Sequence, residues 1–186
     1  MDNFVYIDEY GLLGSNFYWH KAEAYDISKE ELTKVGLKDD RVQVHQDIIS
    51  LLLEVDSQFQ KKLGYRLYIK EGYRSSALYR LVYDKRVARF GQEQTDKLLN
   101  IKDMYHTTGK AVDVALWDME KNKEVFMRDG KDDPEALIFG FYKNKTDDRS
   151  LYYQGLQEQV VEIMKDHGFE MGKLGEYFHF NHKSII

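Results

Sequence analysis

The chain has no cysteine. That excludes disulfides and thiolate metal sites, so any metal must be held by imidazole and carboxylate. No apolar run approaches the length of a membrane span, and the first residues, Met1 to Glu9, lack the basic start and apolar core of a secretory signal. As read, the chain is expected to stay in the cytoplasm. It also lacks an excess of basic charge: 27 Lys and Arg against 32 Asp and Glu give a formal net charge of −5. With the basic residues dispersed, there is no electrostatic footprint for duplex nucleic acid or an anionic membrane surface, which points to a small substrate. Repeats, low-complexity stretches and linkers are absent too, and 186 residues suffice for one full core, so residues 1–186 are expected to form a single domain.

Aromatic residues are plentiful, with fourteen tyrosines, but their scattered, core-like spacing suits packing better than a sugar-stacking surface. Ser28 and Glu31 have the spacing of a capping box, so a short helix should end near Gly36. From Val42 to Leu63 apolar residues recur at helical spacing, with Gly64 placed to cap the C-terminus. Tyr65, Leu67 and Ile69 then alternate with polar residues as in a half-buried strand that Gly72 breaks, which puts Arg74 just past a strand end.

Ser75 and Ser76 can cap a long helix reaching about Phe90, and Gly91 divides it from a shorter one reaching Leu99. Ala111 to Leu116 reads as a strand with Asp113 opposite the larger aliphatics. Residues 128–133 and 143–149 read as charged, turn-rich loops. Leu151 to His167 forms an amphipathic helix closed by Gly168, and two terminal strands follow, around 169–171 and 177–180. Early helices with strands at several points predict an α+β fold with a mainly antiparallel sheet.

The chemistry concentrates in three places. His106 and Asp113 lie seven positions apart, and Glu176-Tyr177-Phe178-His179 follows near the C-terminus. His106, Asp113 and His179 would give one zinc ion two imidazoles and a carboxylate, leaving a fourth position open, with Glu176 close by to handle protons. Gly109 permits the tight return that lets His106 and Asp113 face one ion. Residues 176 and 179 oppose each other on a regular strand, so Glu176 is expected in an irregular entry beside Gly175. A di-iron Glu-x-x-His helix pairing with Asp103-x-x-His106 is the competing pattern; Thr107-Thr108-Gly109 argues against that helix. His182 points away from His179 on a strand, and His20, His45 and His167 have no ligand spacing.

These residues resemble the zinc D-alanyl-D-alanine dipeptidases and carboxypeptidases of peptidoglycan metabolism, the family that includes the vancomycin-resistance dipeptidase. The family pattern Ser-x-His-x-x-Gly-x-Ala-x-Asp is met at His106, Gly109, Ala111 and Asp113, and Glu-x-Trp-His at Glu176 and His179. The upstream Asp-Gly-Tyr-Arg is similar to Glu71-Gly72-Tyr73-Arg74. Met104 replaces the serine, Phe178 the tryptophan, and Ser75 a common proline; the first two shape the family's substrate pocket.

The resemblance implies a zinc fold shared with the hedgehog signalling domain and one zinc held by His106, Asp113 and His179. It also implies Glu176 as general base and Arg74 as oxyanion donor. The substrate implied is D-alanyl-D-alanine or another small peptide with D-amino acids. A carboxypeptidase or endopeptidase acting on longer muropeptides, and a non-catalytic zinc-containing binding module, are the alternatives. A dipeptidase also needs an acid for the substrate ammonium, for which Asp118, Asp132 and Asp133 are available.

Overall fold

The computed structural model describes residues 3–99, 103–131 and 134–185. In chain order these form β1 (Phe4–Tyr6), β2 (Leu13–Gly14), α1 (Phe17–Lys21), α2 (Lys29–Lys34), β3 (Gln43–His45), α3 (Ile49–Leu63) and β4 (Arg66–Glu71). The second half holds α4 (Ser76–Phe90), α5 (Gln92–Leu98), β5 (Ala111–Asp118), β6 (Lys123–Val125), α6 (Asp148–Asp166), β7 (Phe169–Met171) and β8 (His179–His182). β1 and β3 pair antiparallel, and the main sheet runs β2-β4-β5-β8-β7. The long β5 pairs with β8 through its first residues and with β6 through its last. Among the described residues only the β2–β4 pairing is parallel, so the fold is α+β with a mainly antiparallel sheet.

Local signals set most of these elements. Ser28 and Glu31 form the reciprocal capping box of α2. Ser75 caps α4 through Leu78 N–H, and Gly64, in the left-handed conformation, closes α3. The apolar faces of α3 (Leu52, Val55, Phe59) and α6 (Val160, Ile163, Met164) share one core with Leu67 and Ile69 of β4 and Val112, Val114 and Leu116 of β5. Asp56 lies within α3, where its carboxylate accepts from Arg66 Nε and Leu67 N–H, which ties the helix to β4. A second apolar cluster joins Tyr18, Leu32, Leu78, Tyr79, Val82 and Leu99 across α1, α2 and α4.

Two boundaries differ from the sequence expectation. The helix expected from Val42 starts at Ile49, because Val44 is buried in β3 by pairing with β1. His45 then accepts from Asp47 N–H at the start of a 3-10 turn. The last strand begins at His179 rather than Tyr177, because the segment before it is held elsewhere: Glu176 bridges Ile138, and Tyr177 N–H donates to Leu137 O. No helix among the described residues is long and apolar enough to cross a membrane.

One irregularity in the sheet bears on the site. Ile69 pairs with Val114 and Glu71 with Asp113, so β4 carries one extra residue at a bulge. In regular pairing Glu71 would follow Leu67 and Ile69 onto the core face. The bulge turns it instead to the face of Asp113.

Candidate metal centre

Asp113 and His179 are direct cross-strand partners on β5 and β8, so their side chains leave the sheet on the same side. His106 reaches them from a 3-10 turn, Tyr105–Thr108. That turn is closed by Gly109 at φ +66°, where a Cβ would stand 2.7 Å from the Phe4 ring and 2.8 Å from His45 N. Arg74 N–H donates to His106 O, and His45 N–H donates to Gly109 O, which fastens the turn to the segment after β4 and to the end of β3. His106, Asp113 and His179 offer ligand atoms that all lie within 4.8 Å of one another.

The details suit a cation. Asp113 Oδ1 lies 2.7 Å from His179 Nδ1 and 3.5 Å from His106 Nε2. Donors on one tetrahedral zinc, with bonds of about 2.0–2.1 Å, stand roughly 3.3 Å apart. His106 Nδ1 is 2.7 Å from Gly72 O; a carbonyl only accepts, so Nδ1 carries the proton and the Nε2 lone pair faces Asp113. Burial disfavours charge on His106, but the carboxylates of Asp113 and Glu71 outweigh it and raise its pKa. Burial pushes Asp113 the other way, yet His106 and His179 hold its carboxyl well below the usual range. His179 is positioned from behind by Gly172, where a Cβ would lie 2.3 Å from its Cδ2.

Glu176 lies in the irregular entry to β8 that its spacing required, after Gly175 at φ +74°. Burial, reinforced by the Asp113 carboxylate, raises its pKa to about 7. It lines the same cavity of about 860 Å³ as the three donors and Arg74.

Arg74 is 4 % exposed. Its Nε donates to Glu71 Oε1 at 2.7 Å and its Nη2 to Glu71 Oε2, and the guanidinium lies over the rings of Tyr79 at 4.2 Å and Tyr18 at 4.7 Å. Burial opposes its charge, but Glu71 keeps its pKa well above the ordinary value. This inward pair, turned toward Asp113 by the bulge, replaces the surface salt bridge that a strand-end arginine usually makes. The role of Glu71 escaped sequence reasoning, although an acid at the buried parity of Leu67 and Ile69 was a visible anomaly. Gly172 had no signal in the sequence.

The other candidates lie apart from the donors. His182 Nδ1 is 2.9 Å from Ser184 Oγ and its ring packs against Phe169. His45 caps a turn, His20 meets Ser15, and His167 Nδ1–H donates to Ile163 O. Asp118 caps the β5–β6 turn, accepting from Glu120 N–H, Lys121 N–H and Lys121 Nζ, so it is not available to a ligand ammonium. Asp132 and Asp133 fall outside the described residues. Met104 adopts the left-handed conformation at φ +39° and, with Phe178, lines the cavity.

Neither a protein-family model nor a curated protein matches the sequence. Among solved structures, the LdcB LD-carboxypeptidase, whose structure was described for its peptidoglycan recognition, superposes with a TM-score of 0.51 at 17% identity. The match covers 75% of this chain and 59% of that one. The vancomycin-resistance D,D-dipeptidase VanXYg, solved with a D-Ala-D-Ala phosphinate analogue, gives 0.44 at 18% identity, covering 80% of this chain and 54% of its own. The chain thus spans little more than half the length of either protein and has the fold of the carboxypeptidase.

Proposed function

We propose that this chain is a zinc-dependent peptidase acting on short peptides with D-amino acids, such as D-alanyl-D-alanine or a related cell-wall peptide. One observation carries the reading: His106, Asp113 and His179 converge from three chain segments on one side of the cavity that Glu176 also lines. The resemblance of the motifs and the carboxypeptidase fold point the same way.

Zinc held by two imidazoles and a carboxylate supplies Lewis acidity, which polarises a peptide carbonyl and makes water more acidic. Glu176 takes the proton of the attacking water and returns it to the leaving amine; burial gives it a pKa of about 7, suited to exchanging a proton in both directions. Gly72 O fixes the tautomer of His106, and Gly172 fixes the ring of His179. Arg74 donates to the developing oxyanion through Nη1, for which the structure shows no acceptor among the described residues. Its bidentate pair with Glu71 holds the guanidinium ready beforehand, so no reorganisation accompanies the reaction.

The cavity favours the longer-peptide form of this reading. Its volume of about 860 Å³ lies toward the upper end of the roughly 300–1,000 Å³ that hold drug-sized ligands, more than a dipeptide with methyl side chains fills.

The decisive experiment is release of amine from D-Ala-D-Ala and from longer D-alanine-containing peptides by purified protein. It is run with chelator, after zinc add-back, and with Glu176→Ala. Chelator-sensitive cleavage lost in Glu176→Ala, which should still bind zinc, is expected. Bound zinc with no cleavage of any peptide would instead favour a binding module.

A further inference from the structure

The cavity continues away from the donor cluster along α4, and there it meets a cation without an anion among the described residues. Tyr79 and Arg86 stand seven residues, two turns, apart on α4 and so share a face; both line the cavity. The guanidinium of Arg86 lies 5.7 Å from the ring of Tyr25 and 5.6 Å from that of Phe90. Its Nε is buried and has no hydrogen-bond partner among the described residues. Its basic neighbours on the helix are engaged: Lys85 meets Glu31 at 3.0 Å and the carbonyl of Asp26, and Arg89 meets Asp26 at 3.7 Å and the carbonyl of Ala24. Arg86 makes no ion pair or hydrogen bond among the described residues.

Aromatic faces favour the charge of a guanidinium but give its N–H groups no acceptor, and buried donors in folded proteins nearly always have one. The wall leading to Arg86 is continuous with the centre. Arg74 lies over Tyr18, Tyr18 is 5.8 Å from Tyr25, and Tyr25 faces Arg86; all four line the cavity. The two arginines at the ends of this wall differ in one respect: Arg74 is neutralised by Glu71, and Arg86 has no such partner among the described residues.

We propose that Arg86 forms an anion subsite of the cavity that takes a carboxylate of the peptide substrate about three to five residues from the bond cleaved. This rests on the peptidase reading and deepens it. The Tyr79 ring is 6.5 Å from His106, and two turns of α4 add a rise of about 10 Å. An extended peptide advances roughly 3.3–3.6 Å per residue, so about three residues span the rise alone and about five the whole interval. The terminal carboxylate of a dipeptide, one residue from its scissile bond, falls short. A planar guanidinium fork matches a carboxylate in two parallel hydrogen bonds, whether that carboxylate is a chain terminus or an acidic side chain.

The test uses the full chain and blocked peptides containing one D-Ala-D-Ala bond, with glutamate or glutamine three, four or five residues to either side. Further pairs end three, four or five residues beyond that bond in a free carboxylate or in an amide. Affinity is measured by fluorescence anisotropy on zinc-free protein, and KM and kcat on zinc-loaded protein. At least one charged peptide should bind tenfold or more tighter than its neutral twin. The ratio should fall below about twofold in Arg86→Gln, recover in part in Arg86→Lys, and appear in KM rather than kcat. The pair that shows the effect identifies the source of the carboxylate. Equal binding of all twins, no binding, or a preference that survives Arg86→Gln overturns the subsite. A charge preference lost in Arg86→Gln but with no cleavage by the zinc-loaded protein would sink the peptidase reading and leave the subsite standing. Cleavage without charge preference would do the reverse.

Discussion

Replacing Gly172 by alanine places a methyl carbon where the ring of His179 now lies. The new Cβ would stand 2.3 Å from Cδ2 and 3.0 Å from Nε2 of His179, whereas carbon atoms in contact settle at about 3.5–4.0 Å. The ring must therefore move by more than roughly 1 Å. Gly172 is not among the residues with positive φ, so alanine adds no backbone strain and the perturbation falls on the ring itself. The ring has little freedom toward Asp113, already 2.7 Å from its Nδ1.

Metal sites tolerate errors of about 0.2 Å in ligand distance. Zinc affinity should then drop on the scale seen when groups that orient a ligand are disturbed, about 10–100-fold, or roughly 1.4–2.7 kcal/mol. Competition with a chromophoric chelator reads this loss, and urea unfolding of the zinc-free proteins checks that the fold survives. Wild-type zinc affinity in a folded Gly172→Ala protein would refute the reasoning, because it would mean that His179 is not a ligand or that Gly172 does not hold its ring.

Arg74→Ala should lose stability as well as turnover, since it strands the carboxylate of Glu71, which is 1 % exposed. A broken buried pair costs about 3–5 kcal/mol, read as a lower urea midpoint at unchanged slope; an unchanged midpoint would show that the pair is not needed for folding. His182→Ala should keep zinc in equilibrium dialysis and His179→Ala should lose it. Metal loss in the His182 variant would mean that the ligand set is misassigned.

Much was legible in the sequence because it depends on neighbours along the chain. The capping box at Ser28 and Glu31, the helix that Gly64 closes, the alternation in β4 and β5, and the turn at Gly109 all rest on local backbone preferences and on burial of one face. The donor residues could be named from their types and order, since two imidazoles and a carboxylate with an attendant glutamate form a rare combination in a chain without cysteine. The start of α3 was misplaced for the same local reason: Val42 and Val44 fit helical spacing, and only pairing with the distant β1 makes a strand of that stretch.

The tertiary structure alone decided how these residues meet. Cross-strand register sets Asp113 beside His179, and a single-residue bulge turns Glu71 to the side of Asp113 and Arg74. Long-range packing puts Gly172 behind the His179 ring and leaves Arg86 facing the cavity without an anion among the described residues. Register and bulges arise from burying several segments at once, each constraining the others, so no local stretch of sequence contains them.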